Sequence, residues 1–174
     1  MDARTGTSEG PLAEYASMRQ EIESCIDRMT RLYLFQLSTA GAIFAFVLSG
    51  GGRSGLLLIV PISSYLLYVA WLNNYESVMH IGKFIDTVLG PKIGGGVHWE
   101  SWRRANPYPQ RLPGGYHHLL LAFAGVSLLS LGWATPTVFS GWSAAPWVHV
   151  ALLAAWLVGL GALLAQAYLS RDRW

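Results

Sequence analysis

The stretch WVHVALLAAWLVGLGALLAQAYL, residues 147–169, contains no Asp, Glu, Lys or Arg. At about 1.5 Å rise per residue, a helix of that length matches the ~30 Å hydrocarbon core of a bilayer. Working back along the chain, residues 116–139, 55–72 and 32–49 have the same character. The last two are at the short end, so they are expected to cross with little tilt or to borrow interfacial residues. Any one such stretch would also suit the core of a soluble domain. Four of them within 174 residues leave too little polar sequence to cover them.

Composition points the same way. Hydrophobic residues make up 52% of the chain and charged residues 13%, about half of the ~25% usual in globular proteins. Eight Trp and eight Tyr are the aromatic supply that collects at membrane interfaces. The sequence predicts an all-α, four-helix transmembrane bundle. Residues 12–31 form an N-terminal cytoplasmic helix extending the first span, and an amphipathic cytoplasmic segment lies between spans 2 and 3.

The connections set the topology. Ser49-Gly50-Gly51-Gly52-Arg53-Ser54 is too short for anything but an antiparallel turn, so residues 32–72 read as one hairpin. Residues 140–146 end in Pro146, suited to the first turn of the next helix, and residues 116–169 read as a second hairpin. Residues 73–115 form the long connection, residues 1–11 a disordered N-terminus and residues 170–174 a short tail. Eleven of the twelve Lys and Arg fall in the termini and the long connection, against Arg53 alone on the other side. Basic loops stay cytoplasmic, so both termini and the middle segment are expected inside.

Two apolar seams lie on the charged side. Tyr15, Met18, Ile22, Cys25 and Met29 fall at alternating spacings of three and four, a heptad pattern with Arg19, Glu21, Glu23, Asp27 and Arg28 between them. No Gly or Pro interrupts residues 12–40, so one helix is expected to run from the cytoplasm into the membrane. The seam reads either as a self-association or partner-binding surface or as a helix packed on the protein's own middle segment. After the second span, Val78, Ile81, Ile85 and Val88 repeat the spacing until Gly90-Pro91. That helix either extends the second span or lies on the bilayer. Trp99 and Trp102 beside Arg103 and Arg104 read as a membrane-interface patch, aromatic rings and cations both suiting the headgroup layer.

The residues that chemistry would need are sparse. The spans carry no carboxylate, Lys or Arg, which removes the embedded carboxylate of a small proton-coupled exporter. One cysteine, Cys25, excludes an intramolecular disulfide and the paired thiols of a membrane oxidoreductase. His117 and His118 lie at the cytoplasmic start of the third span and His149 near the outer end of the fourth, too far apart in depth for shared ligation. No catalytic, cofactor-binding or metal-binding residue is assigned and no cofactor is expected. A net charge of +2 gives no reason to expect nucleic acid. The polar, mixed-charge N-terminus does not read as a signal peptide. Ser63 and Ser64 are expected to satisfy the carbonyl that Pro61 leaves unpaired. Gln166 reads as the one amide set well inside a span. Gly41 with Ala45, and Ala151, Ala155 and Gly159, have the four-residue spacing of small residues that lets helices approach closely.

One resemblance emerges. Leu56-Leu-Leu-Ile-Val-Pro61, Trp71-Leu-Asn73-Asn74, Ile81-Gly82-Lys83-Phe84-Ile85, Leu89-Gly-Pro91, Trp99-Glu100 with Arg103, and Glu14-Tyr15 with Arg19 and Glu21 resemble a family of small uncharacterised four-span integral membrane proteins of actinobacteria. The resemblance spans about two-thirds of the chain. It implies a bacterial inner-membrane protein and carries over no catalytic residues. In architecture alone, the chain is similar to membrane-acting effectors of bacterial immune systems.

The leading expectation is a non-enzymatic membrane protein with the lipid bilayer as one partner. A second copy or a cytoplasmic protein would bind its cytoplasmic helices, with a pore or membrane perturbation as the sharper form. A transporter or channel for an uncharged or lipophilic solute is the alternative. A membrane enzyme using His98, Glu100 and Arg103 is the third reading.

Overall fold

The computed structural model describes residues 9–50, 54–93, 102, 105–106, 121–140 and 146–171. The described residues are all helical apart from turns, with no strand. Four helices are long and apolar enough to cross a membrane.

Helix α1, Glu9–Leu48, is 40 residues long. It begins within residues 1–11, the segment expected to be disordered. Pro11 suits a first turn, where its missing N–H has no partner to lose, and Glu9 complements the positive end of the helix dipole. Its hydroxyls turn back on the ladder: Thr30 Oγ1 donates to Ile26 O at 3.0 Å and Ser38 Oγ to Leu34 O at 2.8 Å. The helix stops at Gly50, which takes φ +94°, a left-handed conformation that side-chain-bearing residues rarely adopt.

The second helical run, Ser54–Lys92, changes pitch along its length. It opens as a 3₁₀ turn, Ser54–Leu58, becomes helix α2 over Ile59–Phe84, and closes with a π turn, Ile85–Leu89, and a 3₁₀ turn, Gly90–Lys92. The third run has a π turn, Leu121–Gly125, leading into helix α3, Val126–Ser140. Helix α4 is Pro146–Arg171, with Pro146 opening the helix as expected.

The chain divides into two compact units, Met1–Thr30 with Trp71–Pro113, and Arg31–Ala70 with Gly114–Trp174. In the first, Tyr15, Met18 and Ile22 of α1 pack with Val78, Ile81, Phe84, Ile85, Leu89 and Ile93. Burying one such aliphatic side chain stabilises by about 1.5–3 kcal/mol, so this seam binds the described parts of α1 and the α2 extension together. Helix α2 therefore continues past its apolar span rather than ending there, and its extension is what the α1 seam meets.

The expected repeat fails at one position. Val88 is 39% exposed, whereas Leu89 is 1% exposed and occupies the seam. The π turn accounts for the change. Its wider pitch puts more residues in each turn, rotating Val88 outward and bringing Leu89 and Gly90 to the buried side.

The second unit takes residues from all four helices into one core. Leu57, Leu58, Leu131, Ala134 and Val138 are its buried centre, flanked by Ile43, Phe44, Val47, Leu152, Ala155, Trp156 and Leu163. Trp156 holds two partners on α3: its Nε1 donates to Thr135 Oγ1 at 3.3 Å, and its ring meets Phe139 edge-on at 5.7 Å.

Candidate functional site

Register within the second unit follows from a few contacts. A Cβ on Gly159 would lie 3.1 Å from Leu131 Cδ2 and 3.3 Å from Pro61 Cγ, and one on Gly55 would lie 3.2 Å from Leu152 Cδ2. Helices α2 and α4 therefore run parallel. The Ser54–Thr137 hydroxyl contact and the Tyr68–Phe123 ring contact at 5.7 Å make α2 and α3 antiparallel.

One turn from the Gly159–Leu131–Pro61 crossing, toward the end of α4, lies a polar level. Gln36 Nε2 donates to Ser64 Oγ, both side chains being buried. Ser127 occupies the same level on α3 and is fully buried, its Oγ donating to Phe123 O at 2.7 Å.

A second level lies one further turn along. Seven residues from Pro61 is Tyr68, and seven residues from Gly159 is Gln166, about two helical turns in each case. Eight residues back from Leu131 is Phe123, in the π turn and already against Tyr68. Tyr68 is 2% exposed, and Phe123 and Gln166 are 0% exposed. Neither Nε2 nor Oε1 of Gln166 has a hydrogen-bond partner. Burying an unpaired amide costs about 1–3 kcal/mol in proteins. Small residues neighbour the two positions in sequence: Ala122, Ala124 and Gly125 beside Phe123 on the π turn, and Ala162, Ala165 and Ala167 beside Gln166 on α4.

None of these side chains carries a charge. The two levels offer amides, hydroxyls and aromatic faces, which suit hydrogen bonding to a neutral group. They give no counter-charge for an ion and pair no nucleophile with a base.

Ser63 Oγ donates to Val60 O at 3.0 Å, and Ser64 is engaged by Gln36. Neither hydroxyl meets the Leu57 carbonyl, the one Pro61 cannot bond. The shift from 3₁₀ to α just before Pro61 places its missing N–H in the first turn of α2, where a proline is tolerated.

The seam residues Tyr15, Met18 and Ile22 lie in the intramolecular core of the first unit. Cys25 is 3% exposed, and Met29 is half-buried. Among the small-residue positions, Gly159 is buried and Ala155 flanks the core, whereas Ala151, Gly41 and Ala45 face outward. A Cβ on Gly41 would meet nothing within 4 Å. Of the proposed interface patch, Trp102 is described and exposed; Trp99, Arg103 and Arg104 lie outside the described residues, as do His98, Glu100, His117 and His118. His149 is half-buried near the start of α4. Among the described residues no group of three or more His, Cys, Asp or Glu comes together.

Gln36 is the residue that sequence reading passed over: it is a second amide inside a span. Its signal was its position, four residues into an uncharged stretch. No protein-family model, curated protein or solved structure matches the chain.

Proposed function

We propose that this is a non-enzymatic multi-pass protein of the bacterial cell membrane, of the small actinobacterial type its motifs resemble. Both termini and the charged middle segment lie on the cytoplasmic side. It acts by binding a cytoplasmic partner or a second copy through its charged helices, and in the sharper form by perturbing the bilayer on assembly.

The outward face of the four helices supports membrane residence. Leu34, Phe35, Phe46, Leu66, Leu129, Val150 and Leu164 are each more than half exposed, an apolar surface far larger than soluble monomers carry. The α1 seam is occupied by the protein's own α2 extension. A partner on this part of α1 therefore meets its remaining faces, where Glu23, Asp27 and Arg28 are exposed around Ile26.

Crosslinking tests assembly. With Cys25→Ser as background, Ile26→Cys on the exposed face should give a dimer on a non-reducing gel from oxidised native membranes. Monomer alone at every expression level would rule out the second copy. Labelling of Arg53→Cys, but not Arg171→Cys, by an impermeant maleimide on intact cells tests the orientation.

The neutral interior favours a second reading, a carrier or channel for an uncharged solute. Gln36, Ser64, Ser127 and Gln166 supply hydrogen bonding without charge in helices apolar enough to cross a bilayer. Saturable flux in proteoliposomes, lost in Gly159→Val, tests it.

A further inference from the structure

We propose that the level of Gln166, Tyr68 and Phe123 is a binding site for a small uncharged molecule carrying both a hydrogen-bond donor and an acceptor, of the primary-amide or alcohol class.

Three observations converge. Gln166 is fully buried, with neither its amide donor nor its acceptor engaged. A buried amide of this kind marks a place where a complementary group completes the pairing. The level is also built from three helices whose register the Gly159 and Tyr68 contacts fix. On the side toward the apolar core of Leu57, Leu58, Leu131, Ala134 and Val138, the Gln36–Ser64 pair and Ser127 lie one turn away. Finally, α3 takes a π turn here, Leu121–Gly125, which interrupts regular α-helical pairing, with small residues on either side of Phe123.

Chemistry restricts the ligand. Among the described residues, a cation or anion would find no counter-charge at this level. A pure hydrocarbon would leave the Gln166 amide unpaired. A primary amide can exchange two hydrogen bonds with Gln166, donor to acceptor and acceptor to donor, while the Tyr68 and Phe123 rings cover its apolar part. An alcohol can make either bond. The site deepens the solute reading above and is independent of assembly. Its test measures binding rather than flux, so the site and the transport reading can fail separately.

The full chain, labelled with ¹⁵N-glutamine in nanodiscs, is titrated with propionamide and n-propanol, with guanidinium and acetate as charged controls. The Gln166 side-chain resonance is identified by its loss in Gln166→Met. The expected result is a saturable shift of the Gln166 amide pair with the uncharged probes and none with the ions. Saturation-transfer binding of propionamide should weaken about tenfold or more in Gln166→Met, the net effect of losing the hydrogen bonds to Gln166. A Gln166 resonance that does not move, moves linearly without saturating, or responds equally to the ions would overturn the site. Should Gln166→Met not fold, loss of the resonance in the smaller change Gln166→Asn assigns it, and the wild-type titration then decides.

Discussion

Gln36 donates its side-chain amide proton to Ser64 Oγ across 28 residues of chain, joining α1 to α2 inside the second unit. In an apolar surrounding such a bond looks as if it should dominate stability. Its measured worth in membrane proteins is smaller, about 0.6 kcal/mol on average and up to ~1.7, because each partner finds other bonds in the unfolded state. Ser64 has such an alternative in its own helix, at the Val60 carbonyl one turn back.

A double-mutant cycle with Gln36→Met and Ser64→Ala should therefore return a coupling of about 0.5–1.5 kcal/mol. Reversible unfolding in mixed micelles measures it. Zero coupling would mean that the two side chains do not meet.

The two glycines at small-residue spacing should behave oppositely. Gly159→Val places a side chain against Leu131 and Pro61 and should destabilise by about 1–3 kcal/mol. At Gly41 an added Cβ meets nothing within 4 Å, so Gly41→Val should leave monomer stability nearly unchanged. If copies assemble through the outward face of α1, Gly41→Val lowers the dimer fraction without lowering thermal stability. Gel mobility and a melting curve on the same samples separate the two effects.

Cys25 is buried, one turn along α1 from Ile22, so its thiol should react with maleimide only as the packing around it opens. Labelling in native membranes should be about tenfold or more slower than at Ile26→Cys in a Cys25→Ser background, since Ile26 is 47% exposed and Cys25 3%. Equal rates would show that the seam is open. The same burial explains why oxidation at Cys25 itself is a poor probe of assembly.

The helices and the seam were legible in the sequence because both rest on periodicity and apolarity, which act locally. Residues 147–169 lack charge in any context, and Tyr15, Met18 and Ile22 share a face of any α-helix. What the seam packs against was left open: a heptad pattern records an apolar face but not whether it meets another chain or its own. Gln36 was missed because a lone amide among leucines is polar only weakly in sequence. It becomes a feature when Ser64, contributed by another helix, lies opposite. The level around Gln166 is likewise a product of register between helices, and register depends on contacts such as Gly159 with Pro61 that span nearly a hundred residues.

The change of pitch at Ile85–Leu89 makes the sharpest distinction between sequence pattern and structure. A regular α-helix allows both Val88 and Leu89 to approach the face of Ile85, at three and four residues' distance. The π turn gives that face to Leu89 and turns Val88 away. Leu89→Ala should then cost about 2–5 kcal/mol, as for a fully buried leucine, whereas Val88→Ala should cost less than about 1. Ile93, also in this core, lies beyond Leu89, so the loss should loosen the end of the α2 extension before the rest of the unit. Hydrogen exchange of the amides at residues 85–93 reads this directly: faster exchange there in Leu89→Ala, with residues 59–70 unchanged, is the expected pattern. Equal costs at the two positions would mean that the α-helical repeat continues through residue 88 and that no π turn interrupts it.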